Sequence, residues 1–175
     1  MERKFDFILR DDKGFFRDVF RYYPRRTHVH GFHEEPPKLW KDVYKVYCSW
    51  AILRQYYDEK TDNKIESSQV LFELDCDECS EIPNLSGIIK QVIETGETFE
   101  RLTMGQPAGD WCIKQRKGRY SWNDKDKEYE YYDFQVFNNW TNQGYRFSLD
   151  KDEVVKFCEW LDSINQYALE HSEGI

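Results

Sequence analysis

The sequence has no run of about 18 apolar residues, so no segment is long enough to cross a membrane as a helix. It also lacks the glycine-rich and histidine motifs of P-loop, dinucleotide-binding, serine-hydrolase and zinc-protease sites, and its nine glycines do not cluster. The N-terminal residues contain no apolar stretch typical of a signal peptide. We therefore expect a cytoplasmic protein that uses no cofactor and contacts no membrane.

Cysteines are few and irregularly spaced. The chain has five, an odd number, and cytosolic thiols stay reduced, so a disulfide framework is not expected. Cys76 and Cys79 form a lone C-x-x-C, and no second Cys or His pair follows at the spacing of a zinc ribbon. The carboxylates around them disfavour a thiolate, which argues against a redox nucleophile.

Aromatic residues are abundant. They make up 17% of the 175 residues and supply apolar area for a core. This length suits one domain, so we expect a single compact domain over residues 1–175. A subdivision near 97–103, with a β-meander and a helix over 104–175, is also compatible with the pattern.

Alternating apolar and polar residues predict antiparallel strands. These are expected over 4–10, 15–23, 64–74, 111–115, 129–137 and 145–149, with a polar, His-rich loop over 24–37. A helix is expected after Asn84, with Gly96 at its end. A second amphipathic helix follows Asp150, which has capping-box spacing to Glu153. The predicted class is α+β, with antiparallel meanders and two to three helices, including a capped C-terminal helix.

The segment 39–57 is compatible with two structures. Its apolar residues fit one helical face, and Pro36 and Pro37 are well placed before a first helical turn. The same segment is rich in β-branched and aromatic residues, which favours a strand from about Cys48 to Tyr57. We favour the helix.

The net charge of −8 is unevenly distributed. Residues 58–100 carry −9 and residues 150–175 carry −5, whereas the remaining segments are mildly basic. An acidic surface can occupy a basic nucleic-acid groove on a target protein. We therefore expect a non-enzymatic inhibitor that acts by protein–protein interaction on a partner with a basic surface. Phage-encoded anti-defence proteins, anti-CRISPR proteins among them, and immunity proteins share this profile, in which acidic residues act as a nucleic-acid mimic. The expected partner-binding residues are Asp58, Glu59, Asp62, Glu66, Glu73, Asp75, Asp77, Glu78 and Glu81.

A second hypothesis is binding of single-stranded nucleic acid. Residues 114–122 combine basic and aromatic side chains, and aromatic faces stack on unpaired bases while Arg and Lys track phosphates. The candidate residues are Arg116, Lys117, Arg119, Trp122 and Trp140.

Residues 129–165 add to this second hypothesis. They comprise a strand, a loop with a tryptophan, the strand Gly144-Tyr145-Arg146-Phe147-Ser148-Leu149 and a capped amphipathic helix. This order is similar to the C-terminal half of the whirly-like transcriptional-coactivator family. The resemblance implies a ββββα unit and binding of single-stranded DNA.

A third hypothesis is a metal-dependent enzyme. His28, His30 and His33 lie within six residues, and neutral imidazoles are common ligands of transition metals. His28 and His30, followed by Glu34, resemble a metal-binding fragment of cupins. The alternative is a polar surface loop.

Overall fold

The computed structural model describes residues 5–31, 44–58, 60, 64–74, 81–82, 85–101, 110–122, 125–138 and 142–171. Within them the elements follow in the order β1 (Asp6–Asp12), β2 (Phe16–Gly31), β3 (Tyr44–Tyr57), β4 (Ile65–Leu74), β5 (Glu81–Ile82), α1 (Leu85–Thr95), β6 (Phe99–Arg101), β7 (Asp110–Trp122), β8 (Lys125–Asn138), β9 (Gln143–Asp150) and α2 (Lys151–His171). The chain is α+β, and strands dominate.

The strands form two antiparallel sheets. The first sheet has the order β1-β2-β3-β4. Strand β5 pairs with β3 at Val46 and Tyr47, before the part of β3 that pairs with β4. The second sheet has the order β6-β7-β8-β9. A helix follows the strands of each sheet: α1 follows β1–β5, and α2 follows β6–β9.

One apolar core joins both sheets and both helices. Phe157 of α2 lies at its centre, fully buried, with ring centroids 5.0 Å from Phe7, 5.9 Å from Phe20, 5.7 Å from Phe134 and 6.0 Å from Phe147. The first two rings belong to the first sheet and the last two to the second. Helix α2 therefore holds the two sheets together.

A polar contact also ties the sheets. The carboxylate of Asp18 is 1% exposed and accepts hydrogen bonds from Arg54 Nε at 2.8 Å and Nη2 at 3.0 Å. Tyr145, on the second sheet, donates its hydroxyl to the same carboxylate at 2.6 Å. Burial and the Asp18 carboxylate both raise the pKa of Tyr145, so the phenol stays neutral.

The helix boundaries follow from local residues. Gly96 has a φ of 71° and donates its N–H to the carbonyl of Val92 at 2.8 Å, which ends α1. At the other helix, Asp150 Oδ1 accepts the N–H of Glu153 at 2.8 Å and so satisfies a free donor of the first turn of α2. Neither helix is long and apolar enough, within the described residues, to span a membrane.

The helix favoured over 39–57 is wrong for the part that the structure describes, where Tyr44–Tyr57 is strand β3. This strand is central in its sheet, and its residues 50–53 are buried on both faces. Trp50 and Ile52 pack in the main core, while Ala51 and Leu53, on the opposite face, are at most 4% exposed. With both faces apolar, the alternation of a strand disappears from the sequence, and chance spacing imitates a helical stripe.

The loop expected over 24–37 is also wrong in its first part, because β2 continues to Gly31. Its pairing with β3 is irregular between Tyr23 and His28, where Pro24 lies. A proline cannot donate to a ladder and is tolerated at such an irregularity, so the strand resumes after it. Residues 32–43 lie outside the described residues.

Candidate nucleic-acid interface

The second sheet carries an extension that projects beyond its neighbours. Strands β7 and β8 pair along their whole length, from Asp110 with Phe137 to Trp122 with Lys125. Strand β6 pairs with β7 only as far as Ile113, and β9 pairs with β8 only as far as Tyr131. Residues 116–122 and 125–131 therefore form a two-stranded hairpin, which we call the arm.

Strand register divides the arm into two faces, because residues directly opposite each other share a face and successive residues alternate. One face, the aromatic face, contains Arg116, Gly118, Tyr120, Lys125, Lys127, Tyr129 and Tyr131. The other, the ion-pair face, contains Lys117, Arg119, Ser121, Asp126, Glu128 and Glu130. All the acidic residues of the described arm lie on the ion-pair face.

On the ion-pair face, charges of opposite sign neutralise each other. Arg119 Nη2 lies 2.6 Å from Glu128 Oε1, and Lys117 Nζ lies 3.9 Å from Glu130 Oε1. Tyr132 donates its hydroxyl to Glu130 at 2.5 Å, which is the main reason that the pKa of Glu130 is lowered. Burial and this same hydrogen bond raise the pKa of Tyr132 to about 12. Glu130 is therefore ionised and Tyr132 neutral at neutral pH.

On the aromatic face, three cations flank a row of three phenol rings. Tyr129 is central, with ring centroids 6.0 Å from Tyr120 and 6.3 Å from Tyr131. Tyr120 and Tyr131 are each 47% exposed. Exposed tyrosines next to cations form a surface on which unpaired bases can stack while phosphates are neutralised.

The cations of this face differ in how they are paired. Arg116 forms an ion pair with Asp133, which lies one step towards the body of the sheet and also accepts the hydroxyl of Ser148 at 2.6 Å. Lys125 and Lys127 have no acidic partner within the part of the chain that the structure describes. They are the cations most available to a phosphate.

Gly118 allows the central ring to lie where it does. A Cβ built on Gly118 would overlap the Oη, Cζ and Cε1 atoms of Tyr129, the last at 2.8 Å. The hydroxyl end of Tyr129 therefore covers the backbone of the neighbouring strand at the one arm position that has no side chain. The absence of a side chain at Gly118 permits this close approach of the ring to the sheet.

A concavity of about 740 Å³ lies where the arm meets the start of α2. Its charged lining includes Lys117, Arg119 and Lys151, but also Glu128, Glu130, Asp150 and Asp152. Charges of both signs are nearly balanced there, so this concavity does not concentrate charge of one sign as the aromatic face does.

The structure separates the residues predicted for nucleic-acid binding. Arg116 lies on the aromatic face, whereas Lys117 and Arg119 lie on the ion-pair face. Trp122 ends β7, where its backbone pairs with Lys125, and Trp140 is outside the described residues. Sequence reasoning missed Tyr129, Tyr131, Lys125 and Lys127, and it left Tyr120 out of the candidate residues although Tyr120 lies within the segment 114–122. The signal was available as a strict alternation over 125–131, in which Lys, Lys, Tyr and Tyr alternate with Asp, Glu and Glu.

The acidic partner-binding residues are described only in part. Glu66 and Glu73 are exposed on β4, Glu81 lies on β5, and Asp58 follows β3. Because β4 and β5 pair with successive parts of β3, Glu66, Glu73 and Glu81 lie along one edge of the first sheet. Glu59, Asp62, Asp75, Asp77 and Glu78 lie outside the described residues.

The predicted metal ligands are likewise only partly described. The backbones of His28 and His30 lie in β2, paired with Tyr47 and Lys45, and His33 is outside the described residues, as are Cys76 and Cys79. No group of three or more His, Cys, Asp or Glu side chains is placed to hold a metal ion in the ranges that the structure describes. The metal site stays a prediction.

No protein-family model and no curated protein matches the sequence significantly. Among solved structures, the chain is similar to one described as the structure of the plant transcriptional regulator PBF-2. The identity is 12%, the TM-score is 0.32, and the alignment covers 94% of this chain and 82% of that chain.

Proposed function

We propose that the protein binds single-stranded nucleic acid through the aromatic face of the arm. The observation that carries the proposal is the segregation of charge between the two faces of one hairpin. Three cations and three tyrosines share the aromatic face, and every acidic residue of the described arm lies on the opposite face. Bases stack on the rings, and Arg116, Lys125 and Lys127 neutralise the phosphates.

The net charge of −8 does not oppose local binding of this kind. The largest negative segment, residues 58–100, lies mainly in the first sheet and α1, whereas the arm belongs to the second sheet. Long-range repulsion between separated exposed charges is screened over roughly 10 Å at 0.1 M salt. The acidic remainder, which includes Asp150 and Asp152 beside the arm, reduces affinity at low salt but leaves the contacts of the aromatic face in place.

A fluorescence-anisotropy titration tests the proposal. The probe is a labelled single strand of about 12 nucleotides of mixed sequence, long enough for the footprint of a small module. If the three cations each contact one phosphate, the logarithm of the binding constant falls with the logarithm of salt concentration with a slope of about −2. A wild-type protein that does not bind at low salt would rule the proposal out.

The two faces supply a matched pair of variants. Lys125→Gln with Lys127→Gln removes two cations from the aromatic face, and affinity should fall on the order of tenfold at about 0.15 M salt. Lys117→Gln with Arg119→Gln removes the same charge from the ion-pair face, and affinity should fall less than about twofold because these cations lie on the opposite face from the tyrosine row. Equal losses for the two double variants would contradict the proposed face.

A second candidate function is the acidic inhibitor, and the arrangement of β4 and β5 along one edge favours it. Glu66, Glu73 and Glu81 follow one another there, and this edge would dock into a basic groove of a target, as an anti-CRISPR or immunity protein would. Affinity purification from the source cells with mass spectrometry tests it. Glu66→Lys with Glu73→Lys should lose the captured partner, while the control Glu97→Lys with Glu159→Lys should keep it. Equal capture by both variants would exclude this edge.

A further inference from the structure

The spacing of the arm tyrosines limits how a strand can lie on them. The centroids of neighbouring rings are 6.0 Å and 6.3 Å apart, and each pair of planes is inclined by 31°. A base inserted between two rings needs about 3.4 Å on each side, the spacing of stacked bases. Insertion therefore needs about 6.8 Å between two rings, which is more than either centroid distance. Each base instead contacts the exposed surface of one ring, and successive bases lie on successive rings.

This arrangement requires the strand to unstack. Neighbouring bases in a stacked strand are about 3.4 Å apart, but neighbouring rings on the arm are about 6 Å apart. A strand that places one base on each of Tyr120, Tyr129 and Tyr131 must therefore separate its own bases. The middle ring of the row, Tyr129, lies over Gly118, close to the backbone of the neighbouring strand.

We infer that the site prefers pyrimidine-rich single strands, and this inference rests on the proposed function. Purines stack on one another more strongly than pyrimidines, so an adenine run loses more free energy when its bases separate. Every base can stack on a tyrosine ring. Stacking on the arm therefore does not compensate an adenine run for the larger free energy that it loses when its own bases separate. Base preference arises here from the spacing of the rings and needs no hydrogen bond to a base edge.

The test compares labelled oligo-dT and oligo-dA of equal length, about 12 nucleotides, by anisotropy. We expect oligo-dT to bind at least about fivefold more tightly. The slopes of the logarithm of the binding constant against the logarithm of salt should be equal for the two strands, because the same phosphates are neutralised. The preference should therefore persist as the salt concentration is raised.

Variants locate the source of the preference. Tyr129→Leu should weaken oligo-dT most and reduce the preference to less than about twofold, and Tyr120→Leu, at a more exposed position, provides a second variant. Tyr56→Leu is the matched control, because Tyr56 is a partly exposed tyrosine of the first sheet (37%) that lies outside the arm. A preference that survives both arm variants would overturn the inference.

The possible outcomes distinguish a failure of the pyrimidine preference from a failure of the proposed single-strand binding. Equal affinity for the two strands, or tighter binding of oligo-dA, would overturn the pyrimidine preference and leave single-strand binding intact. If neither strand binds, the proposed function fails and the preference fails with it. Tighter binding of oligo-dT that is lost in Tyr129→Leu supports both.

Discussion

The body and the arm use aromatic residues in opposite ways. In the body, Trp50 and Phe157 are fully buried and contact other rings from both sheets. In the arm, the rings of Tyr120 and Tyr131 are nearly half exposed. The aromatic share of the sequence is therefore made of two populations, one that stabilises the fold and one that forms a surface. Neighbouring residues do not separate the two populations, because the buried rings of Tyr132 and Phe134 flank Asp133 while the exposed Tyr120 lies between Arg119 and Ser121.

The largest effect should come from removing the central ring of the body. Phe157→Ala leaves a cavity among four aromatic rings and should lower the free energy of unfolding by about 3–5 kcal/mol. Tyr120→Ala in the arm should lower it by less than about 1 kcal/mol, because nearly half of that side chain is already exposed. Urea denaturation measures both. Similar losses of unfolding free energy in Phe157→Ala and Tyr120→Ala would show that body and arm rings contribute equally to stability, which contradicts the comparison.

The polar tie between the sheets should give the next largest effect. Asp18→Ala leaves the Arg54 guanidinium and the Tyr145 hydroxyl without their acceptor and should cost about 3 kcal/mol. The control is Asp6→Ala, which breaks the more exposed ion pair with Arg21 and should cost less than about 1 kcal/mol. Denaturation midpoints that shift equally for the two would contradict the role of Asp18.

The junction of body and arm should respond to pH. The N–H of Glu153 holds the pKa of Asp150 below its usual range, so this carboxylate stabilises the protein above pH 4 and loses its effect as pH falls through the lowered pKa. Asp150→Ala should cost about 1 kcal/mol at pH 7, and the difference should vanish at acidic pH.

Thermal melts of α2 followed by circular dichroism measure this difference. The comparison is made in a Glu153→Gln background, because burial and Asp150 raise the pKa of Glu153 and would add an opposite pH dependence. A constant difference between the two proteins from pH 7 to acidic pH would exclude a role for the Asp150 charge.

The smallest effect on stability should occur within the arm. Gly118→Ala places a Cβ against the end of the Tyr129 ring, which must move, while alanine is otherwise favoured over glycine in a strand. Stability should stay the same or rise slightly, and affinity for a single strand should fall roughly threefold. The control is Ser121→Ala, on the ion-pair face of the same strand. A loss of stability without a loss of affinity would show that the ring position is unimportant for binding.

The sequence predicted the regular parts of the fold and failed where local signals were absent. The strand over 129–137 and the helix after Asp150 follow from alternation and from an apolar stripe, and the structure contains both as β8 and α2. For 39–57 the helix was favoured over a strand from about Cys48 to Tyr57, and the strand is the structure observed, because burial of residues 50–53 on both faces removes the alternation. Strands β5 and β6 were missed because elements of two and three residues carry no period.

The candidate interface was predicted in its location but not in its residues. Composition drew attention to residues 114–122 but counted Lys117 and Arg119 equally with Arg116. Only the register of β7 with β8 shows that these side chains lie on opposite faces. When the charges of the segment are summed, Glu128 and Glu130 argue against nucleic-acid binding. Their position on the ion-pair face removes this objection, because the proposed contacts are on the aromatic face.

The position of Phe157 has a consequence for the order of folding. Each meander is made of local pairings that can form as the chain emerges, but the contact between Phe7 and Phe157 joins the first strand to the last helix. Contacts this distant in sequence form slowly, because a long loop must close first. During synthesis, the apolar face of the first sheet therefore stays exposed to solvent until α2 has been made. Until then, this exposed apolar face is the surface of the protein to which a chaperone would bind.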